Sequence, residues 1–175
     1  MDQLRHKASH DGLTGLLNRV GFRQRIDTAL ARVGPDEGRI GLLFVDLNEF
    51  KRVNDLHGHE AGDELIRQAG ARLSSLCREH DDVARLGGDE FAIILADVHL
   101  EEQVRAAERR VREAFSAPFD VGALTVSVGA SVGGGIWPDD GQTVSELVRH
   151  ADAAMYEDKA HSRRGSRTAH LARAR

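Results

Sequence analysis

ARLGGDEFAII, residues 84–94, sets two adjacent glycines and two carboxylates between apolar segments. Double glycine between apolar runs predicts a β-hairpin, because glycine adopts the positive φ that such turns need. Strands are expected at about 82–86 and 91–96, joined by Gly87, Gly88, Asp89 and Glu90. Upstream, IGLLFVD (40–46) is a continuous apolar run, as expected of a central strand covered on both faces, and it ends on Asp46. Phe22, Ile26, Ala29/Leu30 and Val33 recur at helical spacing over 19–33. A short helix is expected around Phe50–Val53, and Leu65/Ile66, Ala69, Leu73 and Leu76 mark a long one. Downstream, Leu100, Val104, Ala107, Val111 and Phe115 predict an amphipathic helix over 100–116. Strands near 118–121 and 124–133 follow, then a helix from Val144 to about His161. A hairpin at the centre of a helix–strand alternation predicts an α/β (α+β) fold, not a doubly wound parallel one. Its core would be a mixed central sheet of about five strands flanked by helices.

At 175 residues the chain suits one domain. Hydrophobic content of 41% and charged content of 30% are ordinary for a soluble globular protein. No apolar run is long enough to span a bilayer and no signal peptide opens the chain, so no direct membrane insertion is expected. A cytoplasmic location follows, either as such or as the cytoplasmic domain of a larger, membrane-attached protein. The single cysteine, Cys77, excludes an internal disulfide and a cysteine-built zinc site. A net charge of −4 gives no general reason to bind nucleic acid. From Lys159 to Arg175, however, there is no acidic residue, while Lys159, Arg163, Arg164, Arg167, Arg173 and Arg175 are basic. That stretch is either a solvated tail or, in its nearer part, a contact for an anion.

If the strands ending at Asp46 and starting after Asp89 and Glu90 are neighbours, three carboxylates converge at one end of the sheet. Like charges that close raise one another's pKa unless a cation neutralises them. Hard oxygen ligands suit magnesium or manganese, which share coordination with substrate phosphates. Gly87 and Gly88 would leave room for a ligand against backbone. The same residues also fit a solvated turn, with Asp46 capping the helix that follows. Residue chemistry alone reaches a divalent-metal phosphate site and stops there.

RLGGDEF resembles the signature of the GGDEF family, the diguanylate cyclases. HDGLTGLLNR is similar to the family's opening D-x-L-T-G-L-x-N-R, and VDLNEFKRVNDLHGHEAGDE to its D-x-D-x-F-K-x-x-N-D-x-x-G-H-x-x-G-D. SVGAS and HADAAMYEDK look like the later S-x-G-x-A and A-D-x-A-M/L-Y-x-A-K segments. In family order these cover roughly residues 8–165. The resemblance implies a fold like nucleotidyl-cyclase and polymerase palm domains. It implies condensation of two GTP into cyclic di-GMP with release of two pyrophosphates, using two magnesium (or manganese) ions per active site.

By resemblance, Asp46 and Asp89 are the side-chain metal ligands, with the Leu47 carbonyl as a third. Asp89 also holds the position of the proton acceptor, and Glu90 helps hold metal or hydroxyl. Lys51 balances charge on the phosphates, while Lys159 and Arg163 grip the terminal phosphates. Asn54 and Asp63 resemble the guanine readers, and His59 lies beside the nucleotide; a carboxylate accepts from guanine N1–H and repels the acceptor N1 of adenine. Asn48 stands where an aspartate is common, His57 where small or aromatic residues are, and GASVGGGIWP is glycine-heavy.

Arg78-x-x-Asp81 matches the offset of the family's inhibitory product site, with Arg109 as its auxiliary arginine among Arg105, Arg109 and Arg112. The bland reading is a helix-end salt bridge and a solvated arginine face. One GTP per domain implies a homodimer for catalysis. Residues 1–10 read as the end of a linker helix from a fused sensor or effector domain, 11–166 as the GGDEF domain and 167–175 as a basic tail. The alternative is a catalytically idle module that binds GTP or cyclic di-GMP and regulates a neighbour.

Overall fold

The computed structural model describes residues 8–33 and 38–172, with side chains as far as Ser162. Most of the expected linker helix, and the side chain of Arg163, lie outside the described residues. Helix α1 (Arg19–Arg32) starts on Asn18, whose Oδ1 accepts the Val20 and Gly21 N–H groups at 2.9 and 3.0 Å. Strand β1 (Arg39–Leu47) leads to α2 (Phe50–His57) and α3 (His59–Leu76). The hairpin β2 (Asp82–Gly87) and β3 (Glu90–Val98) precedes α4 (Glu101–Ala114). A small hairpin, β4 (Phe119–Val121) and β5 (Leu124–Val126), leads to β6 (Ala130–Trp137) and α5 (Val144–Ala172).

The main sheet has the order β2-β3-β1-β6. All its ladders are antiparallel, and a parallel bridge between Leu17 and Ala84 sits at the β2 edge. Gly88 turns the hairpin at φ +54, a left-handed conformation, with nothing within 4 Å of a Cβ placed there. Conformation therefore demands the glycine, and the space beside it is open.

The expected fold class holds, but the central sheet has four strands in antiparallel ladders where a mixed sheet of about five was expected, because β4 and β5 pair with each other. Three elements also differ. The strand expected over 124–133 is two strands: β5 pairs with β4, and β6 joins β1 only from Ala130. Alternation of apolar residues runs through both and cannot show the change of partner. Helix α3 begins at His59, a full turn before its first buried leucine. Helix α5 runs past His161 to Ala172, so the boundary expected between 166 and 167 falls inside one helix.

Burial follows from β1 at the centre. Leu43, Val45 and Leu47 pack on the α3–α4 side with Leu65, Ile66, Leu73, Phe91 and Val104. Ile40, Leu42 and Phe44 pack on the α1–α5 side with Phe22, Ile26, Leu147, Ala151 and Met155. Each such buried side chain contributes about 1.5–3 kcal/mol. Arg72 fastens α3 to the segment after α4, donating to the carbonyls of Ala114, Ala117 and Pro118 at 3.0, 2.7 and 2.7 Å and lying 3.5 Å from the Phe119 ring centroid.

Strand β6 is an edge, and its outward N–H groups need partners. Carboxylates supply them. Val132 donates to Asp158 and Ile136 to Asp140, both at 2.8 Å, and Gly134 donates to Glu108. The Val132 carbonyl accepts from Arg112 at 2.7 Å.

Candidate functional site

Asp46 lies on the α1–α5 face of the sheet, where the apolar stripe Ile40, Leu42, Phe44 reaches the strand end. It is 4% exposed. Its Cα partner across the ladder is Glu90, and the Leu47 N–H donates to the Asp89 carbonyl at 3.2 Å. A buried carboxylate needs a cation, and Lys159, arriving from α5, places Nζ 2.6 Å from Asp46 Oδ1.

A cavity of about 400 Å³ opens beside this pair, lined by Leu47, Glu49, Lys51, Asp89, Gly129 and Lys159 among others. Burial raises the Asp89 pKa, and the Asp46 charge raises it further. Glu90 is raised by burial, then by Asp46 and Asp89. The chain enters the cavity wall through Glu49 at φ 60, a left-handed conformation uncommon outside glycine, just before α2 presents Lys51.

The three carboxylates meet at one end of the sheet, near enough for the Asp46 charge to act on both Asp89 and Glu90, but they do not form a single metal-holding group. Among the described residues no group of three or more His, Cys, Asp or Glu side chains is placed to hold a metal ion. Asp89 opens into the first cavity, whereas Glu90 lines a second one of about 400 Å³ between α1 and α5, with Arg19, Phe44, Asp152 and Met155. Two carboxylates remain, Asp46 and Asp89, with Leu47 beside them. This oxygen set fits a hard divalent cation, and the ammonium of Lys159 shows that a positive charge is accommodated at Asp46.

At the far side of α2, Asn54 Oδ1 is buried without a hydrogen-bond partner. Gly62 packs against it so closely that a Cβ would stand 1.8 Å from that oxygen. Asp63 follows on α3 and is exposed, as is His59 at the helix start. The structure thus brings Asn54 and Asp63 to one place and leaves an unmet acceptor there.

The second expected site is a shallow cleft of about 20 Å³ lined by Arg78, Asp81, Asp97, Gln103 and Arg110 among others. The Asp81 carboxylate accepts from the N–H groups of Arg78 at 2.8 Å and Ala96 at 3.1 Å. Arg109 does not reach this cleft. It bonds Glu102 at 2.7 Å, one helical face away, while Arg105 pairs with Glu101 and Arg112 with Asp158. The helix arginine beside Arg78 is Arg110. Burial, and the Asp81 charge after it, push the neighbouring Cys77 thiol up to about 12, so it stays protonated.

The family model described as "Diguanylate cyclase, GGDEF domain" matches residues 8–165. The chain belongs to the GGDEF family. It is 39% identical over 158 residues to the bifunctional diguanylate cyclase/cyclic di-GMP phosphodiesterase MucR of Pseudomonas aeruginosa, covering 90% of this chain and 23% of MucR. It is 36% identical over 169 residues to the diguanylate cyclase TpbB of the same species, covering 96% of this chain and 39% of TpbB. The solved GGDEF domain of TpbB superposes with a TM-score of 0.83 at 35% identity, over 87% of this chain and 89% of that one. The coiled coil and GGDEF domain of DgcB from Caulobacter crescentus, in complex with cyclic di-GMP, gives 0.82 at 28% identity over 91% and 85%. The chain thus spans well under half the length of these curated relatives.

In this GGDEF domain several site residues escape sequence reasoning. Ser127, Val128 and Gly129 line the cavity because β5 and β6 are separate strands. The signal was the glycine of SVGAS, whose carbonyl accepts the Asn48 N–H at 2.8 Å. Ser131, fully buried, donates to Asn48 Oδ1 at 2.7 Å, a bond that holds the Asn48 side chain at the cavity wall and that an aspartate oxygen would accept equally.

The opening HDGLTG turn has a structural use here. Arg85 Nη1 donates to both Asp11 carboxylate oxygens at 3.1 Å, and its Nε and Nη2 donate to the Gly88 carbonyl at 3.1 and 2.9 Å. Burial alone would raise the Asp11 pKa, but hydrogen bonds from Thr14 and Arg85 hold it below the ordinary value. Arg85 thus anchors the turn that carries Asp89. Arg85→Ala is expected to cut turnover about tenfold to a hundredfold by misplacing that carboxylate, with far-ultraviolet dichroism unchanged; a variant of full activity would show the anchor to be irrelevant.

Proposed function

We propose that this domain condenses two GTP molecules into cyclic di-GMP, and the observation that carries the reading is a cavity lined by Asp89 and Lys159, with Asp46 bonded to Lys159 behind it. One GTP lies in each domain, and two domains face each other in a homodimer. Guanine is read by Asn54 and Asp63, where the orphaned Asn54 oxygen accepts from guanine N1–H or N2–H₂. The triphosphate enters the cavity, with Lys51 and Lys159 balancing its charge and Arg163 beyond them. Asp46, Asp89 and the Leu47 carbonyl would hold magnesium or manganese, two per site. When bound, the metal supplies acidification of the ribose 3′-hydroxyl and charge neutralisation of the leaving pyrophosphate.

The 3′-oxygen of one GTP attacks the α-phosphorus of the other. An O–P bond forms, the bond to the β-phosphate oxygen breaks, and the hydroxyl proton passes to Asp89. A carboxylate with a raised pKa is a better proton acceptor than an ordinary one, because its protonated form is less unfavourable. The second, symmetric attack closes the ring. Glu90, directed to the other cavity, is left with a supporting role at the strand end.

Incubation with GTP and magnesium, with pairing enforced by a fused coiled coil and nucleotides resolved by chromatography, tests this. Conversion of GTP to cyclic di-GMP is expected. Tight GTP binding without product would reject catalysis and favour the regulatory module.

Product feedback belongs to the same proposal. Cyclic di-GMP would bind over the cleft at Arg78 and Asp81, one guanine or phosphate paired with the Arg78 guanidinium, with Arg110 beside it. The expectation that Arg109 serves there has less support than Arg110, given its bond to Glu102. Arg78→Ala is expected to weaken product binding and relieve inhibition at least tenfold; unchanged affinity and inhibition would remove this site.

A further inference from the structure

Helix α5 packs its face Leu147, Ala151 and Met155 on the sheet, at i, i+4 and i+8. Continuing that face past Met155 gives Asp158 and Lys159, both charged and both directed at the protein. Beyond Met155, among the described residues as far as Ser162, no buried apolar side chain fixes the helix against the sheet. Charged anchors take over.

Asp158 Oδ2 accepts from the Val132 N–H at 2.8 Å and pairs with Arg112 Nε at 3.2 Å. Arg112 donates to the Val132 carbonyl at 2.7 Å and stands 3.7 Å from Glu108. One residue of the β6 edge is thereby clamped through both its backbone groups by an ion pair from two helices. The segment HADAAMYEDK has this aspartate where the pattern it resembles, A-D-x-A-M/L-Y-x-A-K, has alanine.

We infer that Asp158 is a positioning residue for Lys159: its bond to the Val132 edge fixes the rotation of α5 at the turn that brings Lys159 to Asp46. Successive helical residues point about 100° apart. Asp158 tied to the β6 edge therefore sends Lys159 across the strand end towards Asp46 and the cavity. Val132 pairs with Val45, and Ser131 with Asp46, so the residue that Asp158 grips adjoins the cross-strand partner of the carboxylate that Lys159 reaches. The two anchors are separated by one residue on each element. Without the first, the turns of α5 after Met155 could bend away from the β6 edge, and Lys159 would meet both Asp46 and a terminal phosphate less often.

This inference rests on the proposed role of Lys159 at the triphosphate. Calorimetric binding of a GTP analogue with a methylene between the α- and β-phosphorus, in magnesium, separates the two. The whole chain is compared with Asp158→Ala, Lys159→Met and the double variant. Asp158→Ala is expected to weaken binding about five- to tenfold and Lys159→Met about ten- to thirtyfold. The double variant should match Lys159→Met within about twofold, because Asp158 acts through a side chain no longer there. Losses that multiply in the double variant would mean a general structural effect and overturn the inference. So would Asp158→Ala binding as the wild type while Lys159→Met is impaired, an outcome that leaves the Lys159 reading standing. If Lys159→Met itself binds normally, the phosphate role falls and the positioning role with it. Should Asp158→Ala not fold, Asp158→Asn keeps an oxygen for the Val132 N–H and loses the charge facing Arg112. A loss of about two- to fourfold is then expected, and none would overturn the inference.

Discussion

Asp89→Asn is expected to abolish cyclic di-GMP synthesis while raising the melting temperature of the metal-free domain. The two effects have one cause. Asp89 is half-buried beside Asp46, and burial and that like charge lift its pKa above the ordinary 3.8. The folded state therefore holds the Asp89 proton more tightly than the unfolded chain does. Stability from that proton is complete below the unfolded value and is lost as pH rises through the raised folded value. At neutral pH the ionised carboxylate works against folding, and a neutral amide of the same shape removes that opposition. A gain of about 1 kcal/mol is typical of relieving such a site, or about 2–4 °C in a domain of this size. The variant should also show a flatter decline of melting temperature as pH rises above the ordinary carboxylate value. Turnover should fall at least about a hundredfold, since the amide neither accepts the proton nor binds a hard cation well. Retained turnover would contradict the catalytic assignment; a lower melting temperature at neutral pH would contradict the electrostatic one.

Gly133→Ala should be the most damaging single-methyl change in the fold. A Cβ at Gly133 would stand 1.9 Å from the Met155 nitrogen, 2.5 Å from the Ala154 carbonyl carbon and 2.6 Å from the Ala151 oxygen. All three are helix backbone, so no side chain can turn aside and α5 must lift from β6. Overpacking of this kind costs about 3 kcal/mol, roughly 6–12 °C here. The lift would also draw Lys159 from Asp46, so GTP binding should weaken in whatever fraction remains folded. Gly135→Ala is the control: its Cβ would meet side-chain atoms alone, of His150 and Leu147 at 3.1 Å and of Asp140 at 3.6 Å. A fall of about 1 kcal/mol or less is expected there. Equal thermal stability of the two variants would show that α5 does not depend on the close approach at Gly133.

Much of the site was legible in sequence because its signals are local. Adjacent glycines before Asp89 forced a turn, and a run of apolar residues ending on Asp46 forced a central strand with a charge at its tip. The turn and strand tip then had to meet if the strands paired, and they do, through Leu47 and Asp89. The spacing from Asn54 to Asp63 likewise survives folding, because Gly62 lets the two helices touch.

What periodicity does not carry is the direction in which a side chain leaves its element once that element is docked. Asp89 and Glu90 are neighbours in the chain, yet one lines the α2 side and the other the α1–α5 cavity, because Asp89 still belongs to the turn while Glu90 is the first residue of β3. Arg109 and Arg110 differ only by the rotation of α4, which its packing on the sheet decides. The exchange of partners between β5 and β6 leaves no mark on the alternation of residues. Sequence by itself determined the turns, the apolar faces and the charged residues at their ends. The tertiary structure alone decided which charges share a cavity and that Lys159, far along the chain, neutralises Asp46, because those pairings depend on how helices rotate and settle against the sheet.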